Sequence, residues 1–239
     1  MTQTVPSSFT RFRERLLHKQ EHVGDRPVIY TAFGDSVTQG WFEHTTCDSD
    51  HAFPSLFKRR AEQRYPAAAV NLINAGVAGD TAVRSLARAE RDLLAFQPDL
   101  VTIGFGVNDA HSGEAGLDDY RRALSELIRL VRARTEADLL LISPSWLMTA
   151  DNPYIHENER KHVEPFLRVA RSNALALYRD AMLDIARSTA TPCLDVFAMW
   201  TELDQAGVDI HSRLANGINH PDRAFHAQVA DAIKRMIFD

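Results

Sequence analysis

Apolar runs and helical stripes alternate along this 239-residue chain, and their order predicts an architecture before any chemistry is considered. Five short apolar runs, residues 28–32, 70–73, 100–103, 139–142 and 193–196, have strand length and are bounded by turn or helix signals. Being continuously apolar instead of alternating, they suit strands buried on both faces. Between them apolar positions recur at helical spacing: Phe53, Leu56, Phe57 and Ala61; residues 81–96; Tyr120, Leu124, Leu127, Ile128 and Val131; Val163, Phe166, Ala170, Ala174, Leu177, Ala181 and Ile185; and finally Val229, Ile233, Met236 and Ile237. Phe9, Phe12, Leu16 and Leu17 mark one more amphipathic helix ahead of the first strand, and Pro66 stops the helix expected over 52–65. Strands alternating with helices predict an α/β fold with a parallel sheet covered on both faces and right-handed crossovers. One domain over 1–239 accommodates the pattern, with 1–24 as a helical extension packed on it.

In such a sheet the loops beyond the carboxyl ends of the strands carry the function. After the first strand comes Phe33-Gly34-Asp35-Ser36-Val37-Thr38-Gln39-Gly40, which lifts a hydroxyl into a tight turn where a nucleophile would sit. Gly-Asp-Ser by itself is also ordinary turn chemistry. After the second comes Asn74-Ala75-Gly76-Val77-Ala78-Gly79-Asp80-Thr81, whose glycines allow close backbone approach and whose N–H groups at a helix start would face an anion. That suits a phosphate loop or an oxyanion hole. The Gly-Lys-Ser/Thr ending of a nucleotide loop is missing and the first turn is not G-x-G-x-x-G, which argues against nucleotide binding. After the third comes Gly104-Phe105-Gly106-Val107-Asn108-Asp109, where Asn108 is an uncharged donor, a turn-former or a helix cap. Before the last helix, Asn216-Gly217-Ile218-Asn219-His220-Pro221 places an imidazole at the same sheet edge, in position to act as general base.

The four blocks together resemble the SGNH (GDSL-type) hydrolase superfamily, whose conserved positions fall in this chain order on Ser36, Gly79, Asn108 and His220. The resemblance spans about residues 28–232. It implies a three-layer α/β/α sandwich around a flavodoxin-like five-stranded parallel sheet. It also implies a carboxylic ester hydrolase: Ser36 attacks an acyl carbonyl, His220 takes and returns its proton, and the Ser36 and Gly79 N–H groups with the Asn108 amide hold the oxyanion. Asp35 and Asp109 are expected to brace their turns. One departure stands out, since the family usually places an Asp three residues before the His and here that position is Gly217. Candidates for orienting His220 are Asn216, Asp209 and Asp222, with a backbone carbonyl as the remaining option.

Composition narrows the partners. A formal charge of -5 and a pI near 6.1 disfavour a general nucleic-acid or anionic-membrane binder. The first ten residues hold no apolar signal region, no window reaches membrane-spanning length, and Cys47 and Cys193 match no redox or metal spacing, so a cytoplasmic protein with reduced thiols and no cofactor is expected. His156, Glu157, Glu159 and His162 read as a solvated helix start and not a metal site, because the histidines are not spaced for one helical face. The stretch 143–156, with Trp146, and the pair Trp41 and Phe42 are expected to wall the substrate pocket or simply to cover loops. Without a long hydrophobic lid, the expected substrate is a small-molecule ester of acetyl or another short acyl group, an O-acetylated carbohydrate among the candidates. A weakly active or inactive fold member binding an acylated ligand, a thioesterase or lysophospholipase, and an acyltransferase are the alternatives; the sequence carries no signal for the oligomeric state.

Overall fold

The computed structural model describes residues 9–239 as a three-layer α/β/α sandwich. Strands β1 (Val28–Gly34), β2 (Val70–Gly76), β3 (Leu100–Gly104), β4 (Asp138–Ile142) and β5 (Cys193–Leu194) form one sheet in the order β2-β1-β3-β4-β5, and every pairing is parallel. This is the flavodoxin-like order, whose switch point lies between β1 and β3. The register brings Gly34, Gly76 and Gly104 side by side, so the chain leaves three adjacent strands at one level and three loops start from a common edge.

Alternate side chains on each strand feed two cores. Tyr30, Ala32, Leu100, Leu140 and Ile142 pack with the N-terminal helix Thr10–Glu21, the helix Phe53–Arg64 and the C-terminal helix Arg223–Phe238. Phe33, Val101, Ile103, Leu139 and Leu141 pack with the helices Leu117–Arg134 and Ala174–Ser188. The N-terminal helix is held by Phe12, which meets Phe57 at 6.3 Å and Phe238 at 6.4 Å between ring centroids. Residues 1–8, part of the expected extension and of the stretch searched for a signal region, lie outside the described residues.

Three elements differ from the sequence pattern. The helix expected over 81–96 is four short pieces, Ala82–Ser85, Leu86–Arg88, Ala89–Asp92 and Leu94–Phe96. At the junction of two of these pieces Arg88 turns inward to bond Ala75 O, Gly34 O and Asp80. The stripe 163–185 is two helices, Val163–Arg171 and Ala174–Ser188, divided where Asn173 adopts φ 55. The fifth strand stops at Leu194, because Asp195 caps a helix Val196–Gln205 that the apolar run conceals by running straight into it. Among the described residues no helix is long and apolar enough to cross a membrane.

Phe57 joins three elements around one core, packing on Phe12, Tyr30 and Phe238. Phe57→Ala is expected to lower unfolding free energy by about 3–5 kcal/mol in chemical denaturation while leaving the catalytic rate per folded molecule within about twofold.

Candidate active site

Asp35 is extended (φ -98, ψ -153) and caps the one-turn helix Ser36–Gln39, its Oδ1 accepting the Val37 N–H at 2.9 Å. Ser36 is therefore the first helical residue, with its N–H among those the helix leaves unpaired. The neighbouring loops are stapled to this turn. Val77 N–H donates to Gly34 O at 3.0 Å, the Asn74 side chain donates to Thr38 O at 3.0 Å, and Gln39 Oε1 accepts from Ala78 N–H at 2.8 Å. Gly79, next in line, has φ +72, a left-handed conformation that glycine adopts without strain. The loop after β3 is tied to that after β2, since Asn108 Nδ2 donates to Asp80 O at 2.9 Å and Asp109 Oδ1 accepts from Ala82 N–H at 2.9 Å. The first bond fixes the Asn108 amide and uses one of its two hydrogens.

His220 arrives from the far end of the chain. Its Nε2 lies 3.1 Å from Ser36 Oγ and its Nδ1 lies 3.1 Å from Phe42 O. A carbonyl only accepts, so Nδ1 carries the proton and Nε2 presents a lone pair to the hydroxyl. The structure thus brings Ser36 and His220 into direct contact, with Gly79 and Asn108 in the two loops that flank the nucleophile turn.

The sequence profile of the GDSL-like Lipase/Acylhydrolase family matches residues 32–228, nearly all of the chain. This chain belongs to that family. No curated protein matched it. Among solved structures, a lipase/acylhydrolase from Enterococcus faecalis superposes with a TM-score of 0.68 at 22% identity, covering 88% of this chain and 95% of that one. The acetylxylan esterase of Geobacillus stearothermophilus gives 0.67 at 21% identity, with 89% and 94% covered. A two-domain esterase active on acetylated mannans gives 0.68 at 21%, covering 96% of this chain and 53% of that longer one. At such identities these likenesses concern the fold. Family membership makes the protein a carboxylic ester hydrolase of the SGNH/GDSL type.

For this GDSL-family member, the three side chains proposed from the sequence to orient the histidine bond elsewhere. Asn216 Oδ1 accepts the backbone N–H groups of Ile218, Asn219 and His220 at 3.0, 2.9 and 3.0 Å, shaping the loop that presents the ring. Asp209 accepts from Tyr154 Oη at 2.8 Å. Asp222 pairs with Arg213 and caps the C-terminal helix through Phe225 N–H. The backbone carbonyl of Phe42 has the place beside Nδ1.

The expected substrate walls are also redistributed. Phe42 is fully buried, with Arg223 4.4 Å above its ring and His226 4.8 Å away, so its contribution to the site is its carbonyl. Trp146 packs on Phe197 at 4.8 Å, beside a separate surface cleft that none of the four family residues lines. His156 Nδ1 accepts Asn158 N–H at 3.2 Å and starts the turn Glu157–His162. Arg88 is the residue the sequence reading missed. Its guanidinium lies 4.2 Å over Phe33 and ties the ends of β1 and β2 to Asp80, a role that leaves no local motif.

Burial shapes the electrostatics. Desolvation raises Asp35 to about 7 against its Val37 hydrogen bond, and Asp109 to about 6 against the bond from Ala82. His226, fully buried, is pushed down to about 3 by desolvation, and its Nδ1 accepts Phe53 N–H at 3.0 Å. Burial also lowers His220, opposed by its bond to the Phe42 carbonyl and by the negative charge of Glu159.

Because Asp35 holds a proton when folded that the unfolded chain releases near 3.8, its contribution to stability is complete below that value and is lost as pH rises through about 7. Between pH 5 and 7 the loss is about 2 kcal/mol, seen as a fall of several degrees in Tm. Asp35→Asn keeps a capping oxygen. Thermal melts of this variant are expected to be flatter over that interval than those of the wild type.

Proposed function

We propose that the protein hydrolyses short-chain acyl esters, acetyl esters of carbohydrates foremost, through an acyl-enzyme on Ser36. The observation that carries this reading is the hydrogen-bonded line from Ser36 Oγ to His220 Nε2 and from Nδ1 to the Phe42 carbonyl. His220 takes the hydroxyl proton as Oγ attacks the acyl carbon, and returns it to the leaving alcohol as the C–O bond breaks. Water, deprotonated by the same ring, then attacks the acyl-enzyme and releases the acid and Ser36. The oxyanion is held by the Ser36 and Gly79 N–H groups and the remaining Asn108 amide hydrogen. Three neutral donors meet developing charge without ion pairing, and each such donor is worth on the order of 100-fold in rate.

One observation supports a short acyl group. The apolar side chains Leu147, Met148 and Ile155, which would otherwise be available to cover a long acyl tail, are buried in the packing of the fold. The choice of a carbohydrate as the alcohol rests on what the acetylxylan and acetyl-mannan esterases of the same fold act on.

Purified protein is expected to turn over p-nitrophenyl acetate and acetylated xylo- or manno-oligosaccharides, with kcat/KM falling at least tenfold from the acetyl to the octanoyl ester. A fluorophosphonate should label the wild type and fail to label Ser36→Ala, whose turnover should fall by about 10⁴-fold or more. Equal behaviour of the two proteins toward both reagents would refute the nucleophile. Neutral His220 is the active form and burial lowers its affinity for protons, so activity should rise with pH along an acid limb centred below the ordinary imidazole value of about 6.5. A kcat/KM profile centred above that value would contradict the assignment.

A further inference from the structure

His220 lacks the carboxylate that would offset its charge when it takes the serine proton, and the structure explains why position 217 cannot supply one. Gly217 has φ +69, and a Cβ there would lie 2.8 Å from both Tyr154 C and Ile155 N. Those atoms belong to the connection after β4, which is stitched to the histidine loop by Met148 N–H to Ile218 O at 2.6 Å and by Asn152 Nδ2 to Gly217 O at 2.9 Å. A side chain at 217 and this connection are mutually exclusive.

The same connection continues into the turn Glu157–His162 and delivers Glu159. Its carboxylate hydrogen-bonds His44 Nδ1, and the His44 ring stacks on His156 at 4.7 Å and 8°. His44 is two residues beyond Phe42, in a turn closed by Phe42 N–H to Thr46 O at 3.0 Å. Glu159 is thus anchored on the loop whose carbonyl holds His220.

The other charges around the ring are accounted for. Glu43 and Asp48 of the same loop both pair with Arg223, and Asp222 pairs with Arg213. His226 on the C-terminal helix is neutral at physiological pH, and buried Asp35 beside Ser36 rises to about 7. Among the described residues Glu159 pairs with an imidazole, where Glu43, Asp48 and Asp222 pair with arginines. It is also the charged group that acts on His220, in the direction that favours the imidazolium.

We propose that Glu159 is a positioning residue for His220, replacing across space the carboxylate excluded at position 217: through His44 it braces the Phe42 loop, and its charge stabilises the imidazolium formed during catalysis. The inference rests on the reading of Ser36 and His220 given above. It adds a residue that touches neither substrate nor reacting atoms and lies some sixty positions upstream of the histidine it serves.

The test is a proton NMR titration of the His220 ring in wild type, Glu159→Gln and Glu159→Asp, with His220→Asn used to assign the signal, alongside pH profiles of p-nitrophenyl acetate hydrolysis. Glu159→Gln should move the His220 midpoint to lower pH, shift the acid limb with it, and cut plateau kcat about five- to tenfold with KM within about twofold. Glu159→Asp, which keeps the charge, should recover part of both effects. An unchanged His220 midpoint in Glu159→Gln overturns the proposal, as does a loss of activity expressed wholly in KM. The titration needs no turnover, so a shifted midpoint in a protein without esterase activity would uphold the coupling while removing the esterase reading.

Discussion

One hydrogen bond organises this site: His220 Nδ1–H to the carbonyl oxygen of Phe42. It sets the tautomer, and with it the lone pair that Nε2 directs at Ser36. A carbonyl can do this as well as a carboxylate, but it carries only a partial negative charge and offsets the charge on an imidazolium less fully. The structure compensates with position. Phe42 is buried beneath Arg223, whose guanidinium also binds Glu43 and Asp48, so the turn bearing the carbonyl is clamped over and just after its key residue.

Around that bond, the nucleophile edge is built from buried charge used sparingly. Arg88 gathers the terminal carbonyls of β1 and β2 and pairs with Asp80, while Asp35 and Asp109 occupy caps where burial favours the protonated form. Raised toward neutrality by burial, these carboxyls reach their full negative charge at a higher pH than exposed ones do.

The parallel sheet was legible because strands buried on both faces must be apolar throughout, and helices packed on them must carry a stripe. Those rules read the five strands and most helices. They failed at 81–96, where the stripe is broken into short helical pieces around the inward-turned Arg88, and at 196–205, where a strand and a capped helix share one apolar run. The candidate walls Phe42 and Trp146 misled for a related reason: apolar character says that a ring is covered, not what it covers.

Ser36, Gly79, Asn108 and His220 could be proposed from the chain alone because each sits in a short motif at a strand end or helix start, where local geometry dictates residue type. The partner of His220 could not. Phe42 acts through its backbone, which every residue possesses, and Asn216, Asp209 and Asp222 were plausible until their hydrogen bonds were seen to be committed to the histidine loop's backbone, to Tyr154 and to Arg213. Local chemistry is written in residue identity, but the choice among distant acceptors is made by how loops 170 residues and more apart in sequence are packed together, and only the tertiary structure decides that.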